Sequence, residues 1–232
     1  MMAALAVALG VLQASQPVGA VNAVEVDESL PATDNMAWKR ADKWKEGINY
    51  IRLDPPQPTA SGPYRTEVIE FFIYGCPHCR DAEPILEKWS RTRPHDVVLV
   101  RVPVIWQERT RHYARFFYTL KALDRLDLHD PYYEAVHLSE TLGHGNLSKF
   151  EDQQTFAVAH GVSAERFAQI YRSEAVSKAV DDAADMTLAY KIQATPTMAV
   201  QGTYTCTTGQ LSGGFEELMK LVDSLTAMVR KH

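Results

Sequence analysis

An α/β fold, one small sheet split by a long helical block, is the class the sequence predicts, and three observations predict it. The first is an apolar stretch, "EVIEFFIYG" at 67–75, that leads into a helical pattern and then into a second strand pattern, "VVLVRVPVI" at 97–105. The second is the change of period after it: from Glu108 to Lys191 the apolar residues recur at helical spacing, without a convincing strand. The third is the return of two short strand patterns and a last amphipathic helix after Pro196. The layout is βαβ, a helical block, then ββα.

Each element has its own signal. Thr66 to Tyr74 is rich in β-branched and aromatic residues without clean alternation, as in a central strand buried on both faces. From His78 to Thr92 the residues Ala82, Ile85, Leu86 and Trp89 share a helical stripe, with Pro84 inside it as a predicted kink. Helices follow at 109–126, 131–141, 148–160, 163–172 and 174–190, broken at "LHDP", "GHGN" and "HGVS". Strands at 197–201 and 204–208 are joined by a turn at Gln201-Gly202, and a helix over 215–230 closes the chain. Ahead of the sheet, "INYIRL" reads as a short strand, Trp38 and Trp44 as a docking segment, and "DPPQPTASGP" at 54–63 as an extended connector.

Composition bounds the function. The chain of 232 residues is 46% hydrophobic and 23% charged, enough for a real core, and its formal net charge of −5 with no basic run argues against nucleic acid or an anionic membrane as main partner. "MMAALAVALGVLQ" followed by small residues up to Ala20 or Ala23 has the apolar and cleavage regions of a secretory signal and is too short for a stable anchor. The first Lys or Arg is Lys39, so the basic start of a signal is missing. Either translation begins upstream of Met1 or the segment imitates a signal; the composition favours export. The expected division is a signal peptide at 1–23, an arm and linker at 24–64, sheet parts at 65–106 and 191–232, and the helical insertion at 107–190.

Three cysteines are too few for a disulfide scaffold, and two of them, Cys76 and Cys79, stand three positions apart at the strand-to-helix turn. That turn puts Cys76 at a helix N-terminus, where free N–H groups and the helix dipole favour a thiolate, and Cys79 one turn in, shielded. Pro77 suits the first turn because it has no N–H to leave unsatisfied. His78 offers an imidazolium or a hydrogen bond to the thiolate. A stabilised thiolate stabilises the reduced form and so makes the disulfide an oxidant. The bland readings are an inert disulfide or half a metal site. The metal reading lacks a second C-x-x-C or a ligand-spaced histidine pair, so no metal is expected. A sheet interrupted by helices, with this pair at its first core strand, is a thioredoxin-like sheet with a helical insertion.

Glu70, six residues before Cys76 inside an apolar strand, is expected to be buried with a raised pKa and to exchange a proton with Cys79. Arg101 in "LVRVPV" is either its partner or an edge-strand charge. Cys206 is expected to be a small buried hydrophobe, and His112, His129, His137, His144 and His160 to be structural.

"EFFIYGCPHCR" resembles the active-site segment of the DsbA family of periplasmic thiol oxidases, and "QATPTMAVQGTYT" at 193–205 resembles that family's cis-proline segment and hairpin. The resemblance implies a cis bond at Pro196 facing the cysteines, with a trans proline at a strand start as the alternative. It also implies that Thr195 offers backbone groups to an extended substrate. Glu70 matches an acidic position of the family segment, and Arg101 stands about where the family has a lysine. Glu83 matches another acidic position, but with Pro84 beside it in place of a second acid it is read as solvated surface. The resemblance thus implies a monomeric, exported dithiol oxidase without cofactor, acting on reduced, unfolded proteins and re-oxidised by a quinone-linked membrane protein similar to DsbB. A disulfide isomerase or reductase of the same fold, or a peptide-binding chaperone module without turnover, are the competing readings; Thr before the cis proline also occurs in related isomerases.

Overall fold

The structure is a computed structural model and describes residues 43–230. The segment read as a signal, most of the arm after it and Trp38 lie outside the described residues. Five strands form one mixed sheet: β1 (Ile51–Arg52), β2 (Thr66–Phe72), β3 (Val97–Pro103), β4 (Thr197–Val200) and β5 (Tyr204–Thr207), in the order β1-β5-β4-β2-β3. β2 runs parallel to β3 and antiparallel to β4. It lies inside the sheet, and every one of its residues is buried, which is why its sequence lacks alternation.

The β2–β3 crossover is α1 (Pro77–Thr92), which continues through Pro84. Its buried face, Cys79, Ala82, Glu83, Leu86 and Trp89, follows helical spacing. Between β3 and β4 come α2 (Glu108–Ala122), a 3₁₀ turn (Leu126–Leu128), α3 (His129–Thr141), α4 (Phe150–Ala159), α5 (Ala164–Tyr171) and α6 (Glu174–Ala189). α2 stops four residues short of the predicted end because Asp124 adopts φ 55°, a left-handed conformation that no helix continues through. Ser163 and Ser173 cap α5 and α6 by accepting from the N–H groups of Arg166 and Val176. The last helix, α7 (Gly214–Val229), returns to the sheet.

Two cores flank the sheet. On one side Val68, Met198 and Val200 pack with Leu86 and Trp89 of α1 and with Leu218, Leu221 and Leu225 of α7. On the other, Ile69 and Phe71 join Tyr113, Phe116, Tyr132, Tyr133 and Phe167 of the helical block. Trp44 docks as the sequence suggests, its indole N–H donating to Ser224 Oγ at 3.2 Å. The outcome for function is positional: the end of β2, the start of α1 and the helices α2 and α3 converge behind the C-x-x-C turn.

Candidate active site

Cys76 is the N-cap of α1, with Pro77 opening the first turn. All three cysteines are free thiols in the structure, Cys76 half-buried, Cys79 and Cys206 buried. The Cys76 S–H donates to the carbonyl of Thr195 at 3.4 Å, and the Thr195–Pro196 peptide bond is cis. Both segments of the family motif therefore meet at one sulfur. Hydrogen bonding with the Cys79 thiol, then with the Thr195 side chain and with the backbone N–H groups of Cys79 and His78, lowers the Cys76 pKa to about 5 against the pull of burial. Cys79 moves the other way: burial first, then the neighbouring Cys76 and Glu70, hold its thiol well above the ordinary range. The His78 ring is exposed and makes no hydrogen bond among the described residues, so its contribution here is the backbone N–H.

Under the pair lies a buried charge network. Glu70 is fully buried. Burial, and then the charge of Glu83, raise its pKa well above the carboxylate range against the guanidinium of Arg101. Glu70 and Arg101 are register partners across β2 and β3, and Glu70 Oε2 lies 3.2 Å from Arg101 Nε. Arg101 is thus both an edge-strand residue and the partner of Glu70. Glu83 corrects the sequence reading: it is 4% exposed, not solvated. Its carboxylate lies 2.7 Å from Arg101 Nη2 and 3.1 Å from His129 Nε2. Burial pushes its pKa up, but His129 and Arg101 outweigh burial and leave it lowered. The signal was present in the sequence, since Glu83 is four residues after Cys79 on the same helical stripe.

His129, whose sequence spacing marks no ligand role, joins the network, its Nδ1 2.8 Å from the Tyr74 hydroxyl. Glu83, His129 and Asp130 bring ligand-type atoms within 4.8 Å of one another. The guanidinium of Arg101 on Glu83 already supplies the positive charge there, and the chemistry of the set is that of an ion-pair network. Cys206 faces Met198 across β4 and β5, and burial alone raises its thiol, as a small buried hydrophobe requires.

A half-buried thiol of low pKa beside a cis proline, with a buried high-pKa partner, is a site for thiol–disulfide exchange, and similar proteins carry that name. No family model matches the chain. The thiol:disulfide interchange protein DsbA of Pseudomonas aeruginosa is 35% identical over 80% of this chain and 86% of its own length. That of Bordetella pertussis is 34% identical over 78% and 85%. The chain belongs to the DsbA family. Among solved structures, P. aeruginosa DsbA superposes with a TM-score of 0.75 at 34% identity, over 82% of this chain and 96% of that one. DsbA from Xylella fastidiosa does so with 0.70 at 25%, over 78% and 95%. The sheet with its helical block is accordingly the DsbA form of the thioredoxin-like fold, and the chain is a thiol:disulfide oxidoreductase.

Proposed function

We propose that this DsbA-family chain donates the Cys76–Cys79 disulfide to reduced, unfolded proteins, and that the asymmetry of the two thiols carries this reading. Cys76 has a pKa of about 5, so it is the better leaving sulfur and the reduced pair is the stabilised one. A substrate thiolate attacks Cys76 Sγ. The Cys76–Cys79 bond breaks, its electron pair goes to Cys79, and a mixed disulfide forms between the substrate and Cys76. A second substrate thiolate attacks the substrate sulfur of that bond and releases Cys76 as a thiolate. The substrate has lost two electrons and the pair has gained them, so no cofactor is required.

Glu70, kept protonated by burial, gives its proton to the Cys79 thiolate, and Arg101 balances the carboxylate left behind. Thr195 and Pro196 present an edge along which an extended substrate adds as a strand. Pro77 sets the helix start and His78 contributes its N–H to the Cys76 sulfur. The partners are reduced, unfolded exported proteins and a quinone-linked membrane re-oxidase, and the compartment is the periplasm, where the chain acts as a monomer. No helix of the described residues is long and apolar enough to cross a membrane.

The test is disulfide transfer to a reduced, unfolded protein, followed with the oxidised chain in stoichiometric amount. Cys76→Ser abolishes transfer; Cys79→Ser, which has no disulfide to donate, abolishes it too, but traps a mixed disulfide at Cys76 when the substrate is supplied in its disulfide form. Assisted refolding that survives Cys76→Ser would instead identify a binding module without redox turnover.

A further inference from the structure

Three connecting segments meet at the end of the sheet that carries Cys76. β2 and β3 are parallel, with Phe72 opposite Pro103, so the segments that follow them leave at the same end. β4 is antiparallel to β2, with Thr197 opposite Phe71, so residues 192–196 arrive at that end too. The first segment leads to Cys76 and the third carries Thr195 and Pro196. The second, between β3 and α2, carries Trp106, which the exchange steps do not use.

Trp106 is 48% exposed, yet it is fixed in place. Its indole N–H donates to the Ile192 carbonyl at 3.1 Å, and its backbone N–H to Thr110 Oγ1 at 3.0 Å. The N–H of Ile105 before it donates to Thr187 Oγ1 on α6 at 3.3 Å. The polar handle of the side chain is thus occupied within the protein, and the surface left for a partner is aromatic carbon. The segment it leans on is held as well. The Ala194 carbonyl accepts from Thr197 Oγ1 at 2.7 Å and the Pro196 carbonyl from Thr207 Oγ1 at 3.1 Å. A ring anchored in this way loses little freedom when a ligand covers it.

The Thr195 carbonyl lies 3.4 Å from Cys76 Sγ, and Ile192 stands three residues earlier. Three residues span about 11 Å at most, so an extended chain that meets Thr195 beside Cys76 passes the indole within about five residues of its own cysteine. We propose that Trp106 is a specificity-determining residue of the exchange reaction, its ring taking an apolar or aromatic side chain that lies near the attacking cysteine of the substrate. The inference rests on the reading that an extended substrate lies along Thr195. Glu108 and Arg109, the exposed charges that follow Trp106, are opposite in sign and give no field that would select a cation instead. Folded proteins bury such apolar side chains and unfolded ones present them beside their cysteines, so the contact favours chains that have not yet folded.

The test uses peptides that differ only in carrying Phe, Ser or Lys within about five residues of the cysteine. In a Cys79→Ser chain, the Cys76 thiolate attacks the mixed disulfide of peptide and glutathione and takes up one of the two while the other leaves as a thiolate. The ratio of peptide to glutathione adducts at equilibrium is expected to be about tenfold higher for the Phe peptide than for the Ser or Lys peptide. Trp106→Ala should remove that preference and Trp106→Phe, which keeps a ring but not the N–H, should retain most of it. Met228→Ala is the control: this side chain is 46% exposed and lines a cavity with Thr66 at the opposite end of β2, so the preference should persist.

Equal ratios for the three peptides overturn the proposal, as does a Lys peptide captured as well as the Phe peptide. A loss in Trp106→Ala that is the same for the Phe and Ser peptides also overturns it, since the indole would then only hold residues 192–196. With both cysteines present, oxidation of the corresponding two-cysteine peptides separates this inference from the reading beneath it. An adduct preference without any oxidation leaves Trp106 its role and removes the oxidase; oxidation of all three at one rate, with one adduct ratio, does the reverse.

Discussion

Cys76 and Cys79 are the same residue type one helical turn apart, yet their surroundings push their thiols in opposite directions. Thiolate absorbance of the reduced chain should therefore titrate with a midpoint near 5 for one sulfur; a midpoint near that of a free thiol would remove the basis for disulfide donation. The pair, Glu70 and the cis proline were legible because each stands out locally: a C-x-x-C at a turn, a carboxylate in an apolar strand, a Thr-Pro before a hairpin. The position of Glu83 on the Cys79 stripe was legible, but its partner His129 was not, because that pairing depends on α3 packing against α1, a contact between segments 46 residues apart. Arg101 sits between Glu70 and Glu83, both almost fully buried. Arg101→Met takes the guanidinium from the buried, ionised Glu83, Glu70 being protonated, at a cost of about 3 kcal/mol near neutral pH. The Glu83 pKa, lowered in the folded chain by His129 and Arg101, then rises, so the loss is small below about pH 4 and grows as pH rises. Urea unfolding at pH 4 and pH 8 measures this, and an equal loss at both would mean that Arg101 acts by packing alone.

Among the elements, α1 does the most for the site, since its first turn lowers one sulfur while its buried stripe carries the other. The helices of the block were found by period, and their ends by chemistry: Ser163 and Ser173 are caps, while the early end of α2 depends on a backbone conformation at Asp124 that its residue type permits but does not require. The β4–β5 hairpin, which follows Pro196, turns at Gln201-Gly202 as its sequence indicates. There Gly202 has φ 60°, and a Cβ would come within 1.9 Å of the Gln57 carbonyl oxygen. The connector at 54–63 is thus held against the hairpin, with Gln57 N–H donating to the Gly202 carbonyl at 2.7 Å. Gly202→Ala is expected to destabilise the chain by about 1–3 kcal/mol or more. An unchanged urea midpoint would show that the connector is free to move away.

For the molecule as a whole, the redox state of one turn is linked to global stability. In the reduced chain the folded Cys76 pKa of about 5 lies below the ordinary thiol value of 9.0. A depressed pKa contributes stability that is fully present above the unfolded value and is lost as pH falls through the folded one. The reduced form should therefore gain on the oxidised form between about pH 5 and pH 9, and thermal unfolding of both forms across that range measures it. The same linkage sets the redox potential on which disulfide donation depends. The two units by which Cys76 lies below pH 7 correspond to about 60 mV in the oxidising direction relative to a pair with a pKa of 7. Equilibration of the Cys76–Cys79 pair with glutathione at pH 7 tests this most directly. The expected potential is at least about 60 mV more oxidising than the thioredoxin value near −270 mV, and a value at or below that reference would contradict disulfide donation and identify a reductase.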